Sequence, residues 1–427
     1  MDLKSKPIIE TKWKEIQLKE ITILITKGTT PTTIGMNFSQ EGINFIKSES
    51  VTKQGTINSK KFAFIDESTH KTLRRSHILE NDLLMSIAGM FLGKVAVVPS
   101  TFIPANTNQA LAIIRLNNEV ADCHFIGYFL RNPSFNTYMN NLVAQSAQPN
   151  LNLTQIGELP IQIPPLEKQK QMGKILSDLD TKIQNIQNQN HTLEQMAQAI
   201  FKSWFVDFDG VTEWEDSELG KIPKGWKVTT LKNHIDIKHG YAFKGEFFSD
   251  KPTKYVLLTP GNFKIGGGFK GDKIKYYDGQ ILEEYVLETN DLLVTMTDLS
   301  VMGDTLGFPM YVPKFDSTTF LHNQRLGKIN IKNDSYLSTI FLYHLCCSLK
   351  YRIEILGSLT GTTVKHSSPE RIMSFQFALP EENKIKKFDK IITSIKEKAD
   401  RLQETIDSLT KTRDALLPKL MSGKIRV

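Results

Sequence analysis

Catalytic and cofactor sites are built from carboxylates, imidazoles, thiols and glycine-rich turns, and this chain has all four. Gly266-Gly267-Gly268-Phe269-Lys270-Gly271 satisfies the Gly-x-Gly-x-x-Gly pattern. A dinucleotide site needs that pattern to close a strand and open a helix, so that the pyrophosphate meets the helix N-terminus. Here turn residues precede it and a strand-like run follows, which makes it a loop. No Gly-x4-Gly-Lys-Ser/Thr stretch occurs, so there is no P-loop. Asp207-Phe208-Asp209 pairs two carboxylates at i, i+2 beyond a helix end, which reads as a solvated exit. His234 and His239 lack partners at metal spacing, and His366 stands alone beside Lys365. Cys123 and the adjacent Cys346-Cys347 form no ligand spacing either, and they point to a reducing cytoplasm. No Ser-His-Asp or Cys-His set can be drawn. The chain is expected to carry no catalytic residue, metal or cofactor of its own.

The elements that would position any site are far more legible. Leu166–Phe208 opens after Pro164-Pro165 and contains a single glycine, Gly173. Its apolar residues keep a 3-4 spacing through Met172, Leu176, Leu179, Ile183, Ile186, Leu193, Ala197, Ile200 and Trp204, broken only by Asn190. A seam this narrow and long is half of a coiled coil. The other half lies 216 positions on: Phe388, Ile392, Ile395, Ala399, Leu402, Ile406, Leu409, Arg413, Leu416 and Leu420, with no slip of register. The first helix leaves one domain and enters the next, so the second must run back antiparallel for the seams to meet. From Leu166 to Trp204 the rod spans about 60 Å at 1.5 Å per residue.

The chain also repeats outside the helices. Trp13-Lys14 returns as Trp226-Lys227, Asn81-Asp82-Leu83-Leu84 as Asn290-Asp291-Leu292-Leu293, and Asn108-Gln109 as Asn323-Gln324. Gly93–Pro99 is matched with Gly303–Pro309, and Ile161–Pro164 with Phe377–Pro380. Within the halves, Ile21–Ile25, Ile43–Ile46, Leu83–Ile87, Val95–Val98 and Leu111–Leu116 read as strands. Phe125–Leu130 and Leu337–Ile355 read as helices. The expected division is 1–165 first domain, 166–206 first helix, 207–225 acidic linker, 226–381 second domain, and 382–427 second helix and tail. The fold class is α+β: two α/β domains separated by two long helices in an antiparallel coiled coil, with a pseudo-two-fold internal repeat. At 427 residues the chain can hold several cores, its net charge of +7 permits nucleic-acid binding, and no apolar run is long enough to span a membrane.

With these residues in place, the sequence resembles the specificity subunit of a type I restriction–modification system, over essentially its whole length. The sharpest matches are Ser217-Glu218-Leu219-Gly220-Lys221-Ile222-Pro223-Lys224-Gly225-Trp226 and the terminal Leu417-Pro418-Lys419-Leu420-Met421-Ser422-Gly423-Lys424-Ile425-Arg426-Val427. Gly28-Thr29-Thr30-Pro31, Gly240-Tyr241-Ala242-Phe243-Lys244, Met296-Thr297-Asp298 and Asn323-Gln324-Arg325 also fit. The first helix departs by ending Phe201-Lys202-Ser203-Trp204 where the second has Leu-Pro-Lys-Leu. The resemblance implies a non-catalytic subunit with two target-recognition domains, each reading one part of a split, asymmetric double-stranded DNA sequence. The helices would fix the unread spacer between the parts. Two modification (methyltransferase) subunits would dock on this frame, with restriction (translocase and nuclease) subunits beyond them. Those partners would hold the S-adenosylmethionine, ATP and Mg. The competing reading is a coiled-coil structural adaptor that does not read sequence.

Phosphate contacts need Lys or Arg, and base edges need Arg, Asn, Gln, Ser, Thr or carboxylates. In the first domain the candidates are Lys27, Thr29, Thr30, Lys47, Ser48, Glu49, Lys53, Met90 and Lys94. In the second they are Tyr241, Lys244, Thr297, Asp298, Ser300, Arg325, Thr362, Lys365 and His366. Asn108-Gln109 and Asn323-Gln324 either read bases or brace their own loop backbone.

Overall fold

The 3-4 seams become two helices of 40 residues each, Leu166–Phe205 and Glu382–Met421, in a computed structural model that describes residues 13–89, 92–143, 150–298, 300, 302–315, 317–357 and 365–425. The chain divides into two compact units, Met1–Gln187 with Glu404–Val427, and Asn188–Gln403. Each unit thus takes one portion of each long helix. The first helix stops just short of Phe208, whose φ of 56° turns the chain out of the helical region.

The expected seam is the side of each helix that leaves solvent. Leu176, Ile183, Ile186, Ile392 and Ile406 are buried, and Leu179, Leu193, Ile200, Ile395, Leu402, Leu409 and Leu416 are half-buried. In the first unit, Met172 and Leu176 share a core with Leu420 and Met421; in the second, Ala197 and Phe201 share one with Phe388 and Ile392. The start of one helix meets the end of the other, so the pair is antiparallel. The polar exception, Arg413, is satisfied rather than stranded. Its Nη1 donates to Asp180 Oδ1 at 2.8 Å, and Asp180 Oδ2 accepts the Tyr128 hydroxyl at 2.5 Å. Half-buried charges are retained only when paired in this way.

The lone helical glycine also has a steric reason. A Cβ on Gly173 would lie 2.5 Å from Asp122 Oδ1 and 2.9 Å from the Phe125 amide nitrogen. Asp122 caps the Cys123–Arg131 helix, accepting from Phe125 N at 2.8 Å. Gln169, one turn earlier, accepts from Asp122 N at 3.0 Å and donates to Val120 O at 3.1 Å. In the second unit the cap is Ser338, and the position equivalent to Gly173 is Asp389, which accepts the Ser338 hydroxyl at 2.7 Å. One carboxylate sits at each helix N-terminus, supplied by the cap in one unit and by the long helix in the other.

Both units build the same two sheets. Entry and exit strands pair first, Lys14–Gln17 with Pro160–Ile163 and Lys227–Thr230 with Gln376–Leu379. An antiparallel sheet follows, in order Thr22–Lys27, Leu111–Leu116, Leu83–Ser86, Val95–Val97; its counterpart is Ile235–His239, Leu326–Ile331, Leu292–Thr295, Pro309–Tyr311. A second sheet holds one parallel pair in each unit, Ile43–Ile46 with Ala105–Thr107 and Tyr255–Leu258 with Thr319–His322. Strand register corrects one sequence match. Val97 faces Leu83 and Tyr311 faces Leu292, so the counterpart of Gly93 is Gly307, not Gly303. The run Leu337–Ile355 is two helices, Thr339–Cys346 and Leu349–Gly357. Residues 207–225 carry a hairpin, Trp214–Ser217 against Gly220–Pro223.

The repeated Asn-Asp-Leu-Leu acquires a physical account. Asn81 and Asn290 take left-handed φ of 66° and 69°, where Asn is tolerated, to turn into the buried strand. Asp82 Oδ2 then accepts Leu79 N at 2.7 Å and Asp291 Oδ2 accepts Glu288 N at 2.8 Å. A cation on the neighbouring strand closes each turn: Arg115 Nε and Nη2 on Asp82 at 2.8 Å, and Lys328 Nζ on Asp291 at 2.7 Å.

Acid should unfold the second unit first. Burial pushes His322 and His344 down to about 4, and each donates or accepts only through fixed partners, Leu326 O and the Gln198 side chain. Both imidazoles are neutral in the fold and take a proton near pH 6.5 when unfolded. Their contribution is complete above that pH and is lost as pH falls from about 6.5 towards 4, on the order of 3 kcal/mol each. Thermal melts between neutral pH and about pH 5 should therefore show a smaller acid-induced drop for His344→Gln than for the parent chain. An identical drop in both rules this out.

Candidate nucleic-acid interface

In each unit the first sheet strand ends in a loop pressed against the turn that follows the parallel strand. Glycine makes the approach possible, since a Cβ on Gly28 would lie 1.9 Å from Thr107 O and one on Gly240 2.3 Å from Asn323 O. In the first unit Thr29 N donates to Thr107 O at 3.1 Å, and Thr30 Oγ1 donates to Gln109 Oε1 at 2.5 Å. Arg75 Nη2 reaches Thr29 Oγ1 at 3.5 Å. In the second, Tyr241 N donates to His322 O at 2.8 Å and Gln324 N to Tyr241 O at 2.9 Å. The fold thus gathers Lys27, Thr29, Thr30, Asn108 and Gln109 into one cluster, and Tyr241, Asn323, Gln324 and Arg325 into its counterpart. Asn108 Oδ1 accepts Ala110 N at 3.2 Å and Asn323 Oδ1 accepts Arg325 N at 2.9 Å, so both brace their turns. Tyr241 packs against Phe243 and Tyr285, with ring centroids 5.2 and 5.3 Å away.

A second group shapes the hairpin loop of the second unit from inside. Thr297-Asp298 pairs with Lys365-His366, and Thr297 Oγ1 lies 3.3 Å from His366 Nδ1. Thr297 and Asp298 are buried. Asp298 accepts from Ser300 N at 2.7 Å and from the Thr305 hydroxyl at 2.7 Å. Burial alone raises its pKa, but these donors outweigh burial and hold the carboxyl below its usual value. Arg352 ties down the same loop through Leu306 O and Gly303 O, with its guanidinium 4.4 Å from the Phe308 ring centroid. Lys244 and Glu246 form an exposed pair at 3.8 Å, of little energetic weight.

In the first unit Ser48 is buried at the start of a short turn, and the Lys47 ammonium lies 4.8 Å from the Phe38 ring centroid. Glu49 lies within that turn, Ser48–Ser50. Lys53 and Lys94 line a cleft of about 400 Å³ together with Arg131, Asn136 and Asn140. Arg131 and Asn136 lie on helices and are more than thirty residues from Lys94 in sequence, so no local pattern marks them. Burial, then the nearby Lys61 and Lys53, push the Lys94 ammonium below its usual pKa. Met90 and Thr362 lie outside the described residues. Among the described residues no group of three or more His, Cys, Asp or Glu is placed to hold a metal, and no helix is long and apolar enough to cross a membrane.

Residues 10–195 match the family model described as type I restriction modification DNA specificity domain. The MjaVIII type I restriction enzyme specificity subunit of Methanocaldococcus jannaschii is 25% identical over 82% of this chain and 80% of its own length. The HindI specificity subunit of Haemophilus influenzae is 24% identical over 87% of this chain and 93% of its own. The crystal structure of a type I restriction–modification S subunit from M. genitalium superposes with a TM-score of 0.54 at 15% identity, covering 97% of this chain and 98% of that one. That likeness is one of fold.

Proposed function

We propose that this chain is a specificity subunit of a type I restriction–modification system and that it reads a two-part DNA sequence, one part per unit. The observation that carries the reading is the repeated loop cluster. Each unit sets a glycine-seated loop against an Asn-Gln turn on the same two-sheet frame, while the side chains around it differ, Thr29 and Thr30 in one unit and Tyr241 in the other. A rigid frame with divergent polar loops is what base-edge readout requires. A coiled-coil adaptor would need the helices alone and has no use for two such frames. The helix pair would serve as the platform for methyltransferase and restriction subunits, and those partners would hold S-adenosylmethionine, ATP and Mg in the cytoplasm. The bond-making chemistry would be theirs; this chain contributes the choice of sequence.

Salt dependence tests the reading. DNA affinity of the complex assembled with its methyltransferase subunits should fall steeply as salt rises, with a log–log slope of about −0.9 for each phosphate neutralised. Six or more such contacts imply a loss of roughly a thousandfold between about 50 and 200 mM salt. An affinity that does not change with salt, or that is equal for every duplex, returns the chain to the adaptor class.

A further inference from the structure

A short turn before an edge strand of the second sheet, His77–Ile78 in one unit and Val286–Leu287 in the other, carries opposite charges in the two units. Bonds on both sides of the turn fix the equivalence. Thr29 N donates to Thr107 O where Tyr241 N donates to His322 O, and His77 faces Asn106 where Val286 faces Leu321. Ser76 N closes on Leu73 O at 2.9 Å, and Tyr285 N on Leu282 O at 2.9 Å. His77 N donates to Arg74 O as Val286 N donates to Glu283 O. By these pairings Arg74-Arg75 stands where the second unit has Glu283-Glu284.

The frame braces this turn and leaves its side chains free to differ. Leu73 is buried in a cluster with Phe45 and Ile65, and Ser76 is fully buried, while Arg74 and Arg75 between them are exposed. Exposed positions of this kind change charge at little cost in stability. In the second unit Glu284 is occupied: Lys238 Nζ donates to its carbonyl at 2.8 Å and lies 3.8 Å from its carboxylate. Arg75 differs. Among the described residues it forms no ion pair, and its one hydrogen bond is the long contact of Nη2 with Thr29 Oγ1 at 3.5 Å. The rest of its fork stays open at the loop cluster. In the same cluster Gln109 Oε1 accepts the Thr30 hydroxyl, which leaves Nε2 of that exposed side chain to donate.

The group that fits a set of open donors is an edge that accepts twice. In the major groove guanine presents N7 and O6, both acceptors. Adenine pairs an acceptor with a donor, cytosine presents a donor, and thymine one acceptor with a methyl group. The planar arginine fork meets the guanine pair with two parallel N–H bonds. The second unit also has an arginine in its cluster, but on another loop. Arg325 takes the place of Ala110, since Asn323 accepts from Arg325 N where Asn108 accepts from Ala110 N. A fork carried on different loops in the two units suits two unlike half-sequences.

We propose that Arg75 is a specificity-determining residue of the first unit, reading a guanine in that unit's part of the target through N7 and O6 in the major groove. This inference rests on the DNA-reading function proposed above and names one side chain and one base within it.

The test uses the complex assembled with its methyltransferase subunits and has two arms. In the first, the parent complex binds targets in which single guanines are replaced by 7-deazaguanine, which keeps the base pair and O6 but lacks the N7 acceptor. One position in the first part should cost roughly fivefold or more in affinity. In the second arm, Arg75→Gln should be indifferent to that replacement, and mapping of methylated adenines should show that position relaxed while the rest of the target stays as in the parent. Arg74→Gln, with the same loss of charge, should relax no base, and Glu284→Gln should leave the first part as it was. Melting of the variants checks that the fold is kept. A first part without guanine, or one whose every guanine tolerates the replacement, overturns the assignment, and this arm needs no variant. So does an Arg75→Gln complex that keeps the base requirement. One that weakens all duplexes alike with a smaller salt slope also overturns it, because Arg75 would then be a phosphate contact. Relaxation of the same base by Arg74→Gln overturns it too, since charge and not the Arg75 fork would be at work. A parent complex that does not tell its own target from scrambled DNA sinks the DNA-reading function itself, whereas a discriminating parent in which Arg75 fails these tests leaves that function standing.

Discussion

Replacing residues 13–165 with the equivalent module of a relative should change one part of the methylated sequence completely and leave the other part as it was. The two units repeat the same sheets, the same Asn-Asp turns and the same glycine-seated loops, and each has its own cores. Reading is thus expected to be modular. The exchange succeeds only if the incoming module fits the helix it lands on. Gln169 and Gly173 receive the cap at Asp122, and Asp180 receives the Tyr128 hydroxyl. A donor with a bulkier cap would clash at Gly173 before any base is read. Base-resolution mapping of methylated adenines reads the outcome, and a simultaneous change in both parts would end the one-unit, one-part division.

The largest effect on stability is expected from Phe201→Ala. Phe201 is fully buried, and its ring lies 5.2 Å from Phe205, 5.5 Å from Phe341 and 5.7 Å from Phe388, centroid to centroid. It therefore joins the first long helix to the second and to the domain of its own unit. Truncating a phenylalanine in such a site costs about 3–5 kcal/mol, lost transfer and cavity together. Ile200 beside it is only half-buried, so Ile200→Ala should cost less. Of the four tryptophans, Trp204, Trp214 and Trp226 lie in the second unit, so urea unfolding followed by fluorescence reports on it. A loss below about 1 kcal/mol for Phe201→Ala would mean that the aromatic cluster does not hold the helix pair to the domain.

Some of this molecule could be read without coordinates because its signals are periodic and local. The seam from Leu176 to Ile200 and from Ile392 to Leu416 is visible since helical side chains return to one face every three to four residues. The strands Ile43–Ile46 and Leu111–Leu116 stand where β-branched runs between turn formers place them. The internal repeat is likewise a property of order along the chain. What the chain order could not decide depends on partners far apart in sequence. Arg413 reads as a fault in the seam until Asp180 and Tyr128 are placed beside it. Asp298 reads as a base reader, yet tertiary packing buries it among the donors of its own loop. Along the chain the turn and strand Gly93–Pro99 read as the counterpart of Gly303–Pro309; only strand register, which counts residues across a sheet, assigns Gly93 to Gly307. The cleft of Lys53, Lys94 and Arg131 is the extreme case, because charge has no period and only folding brings three distant cations to one place.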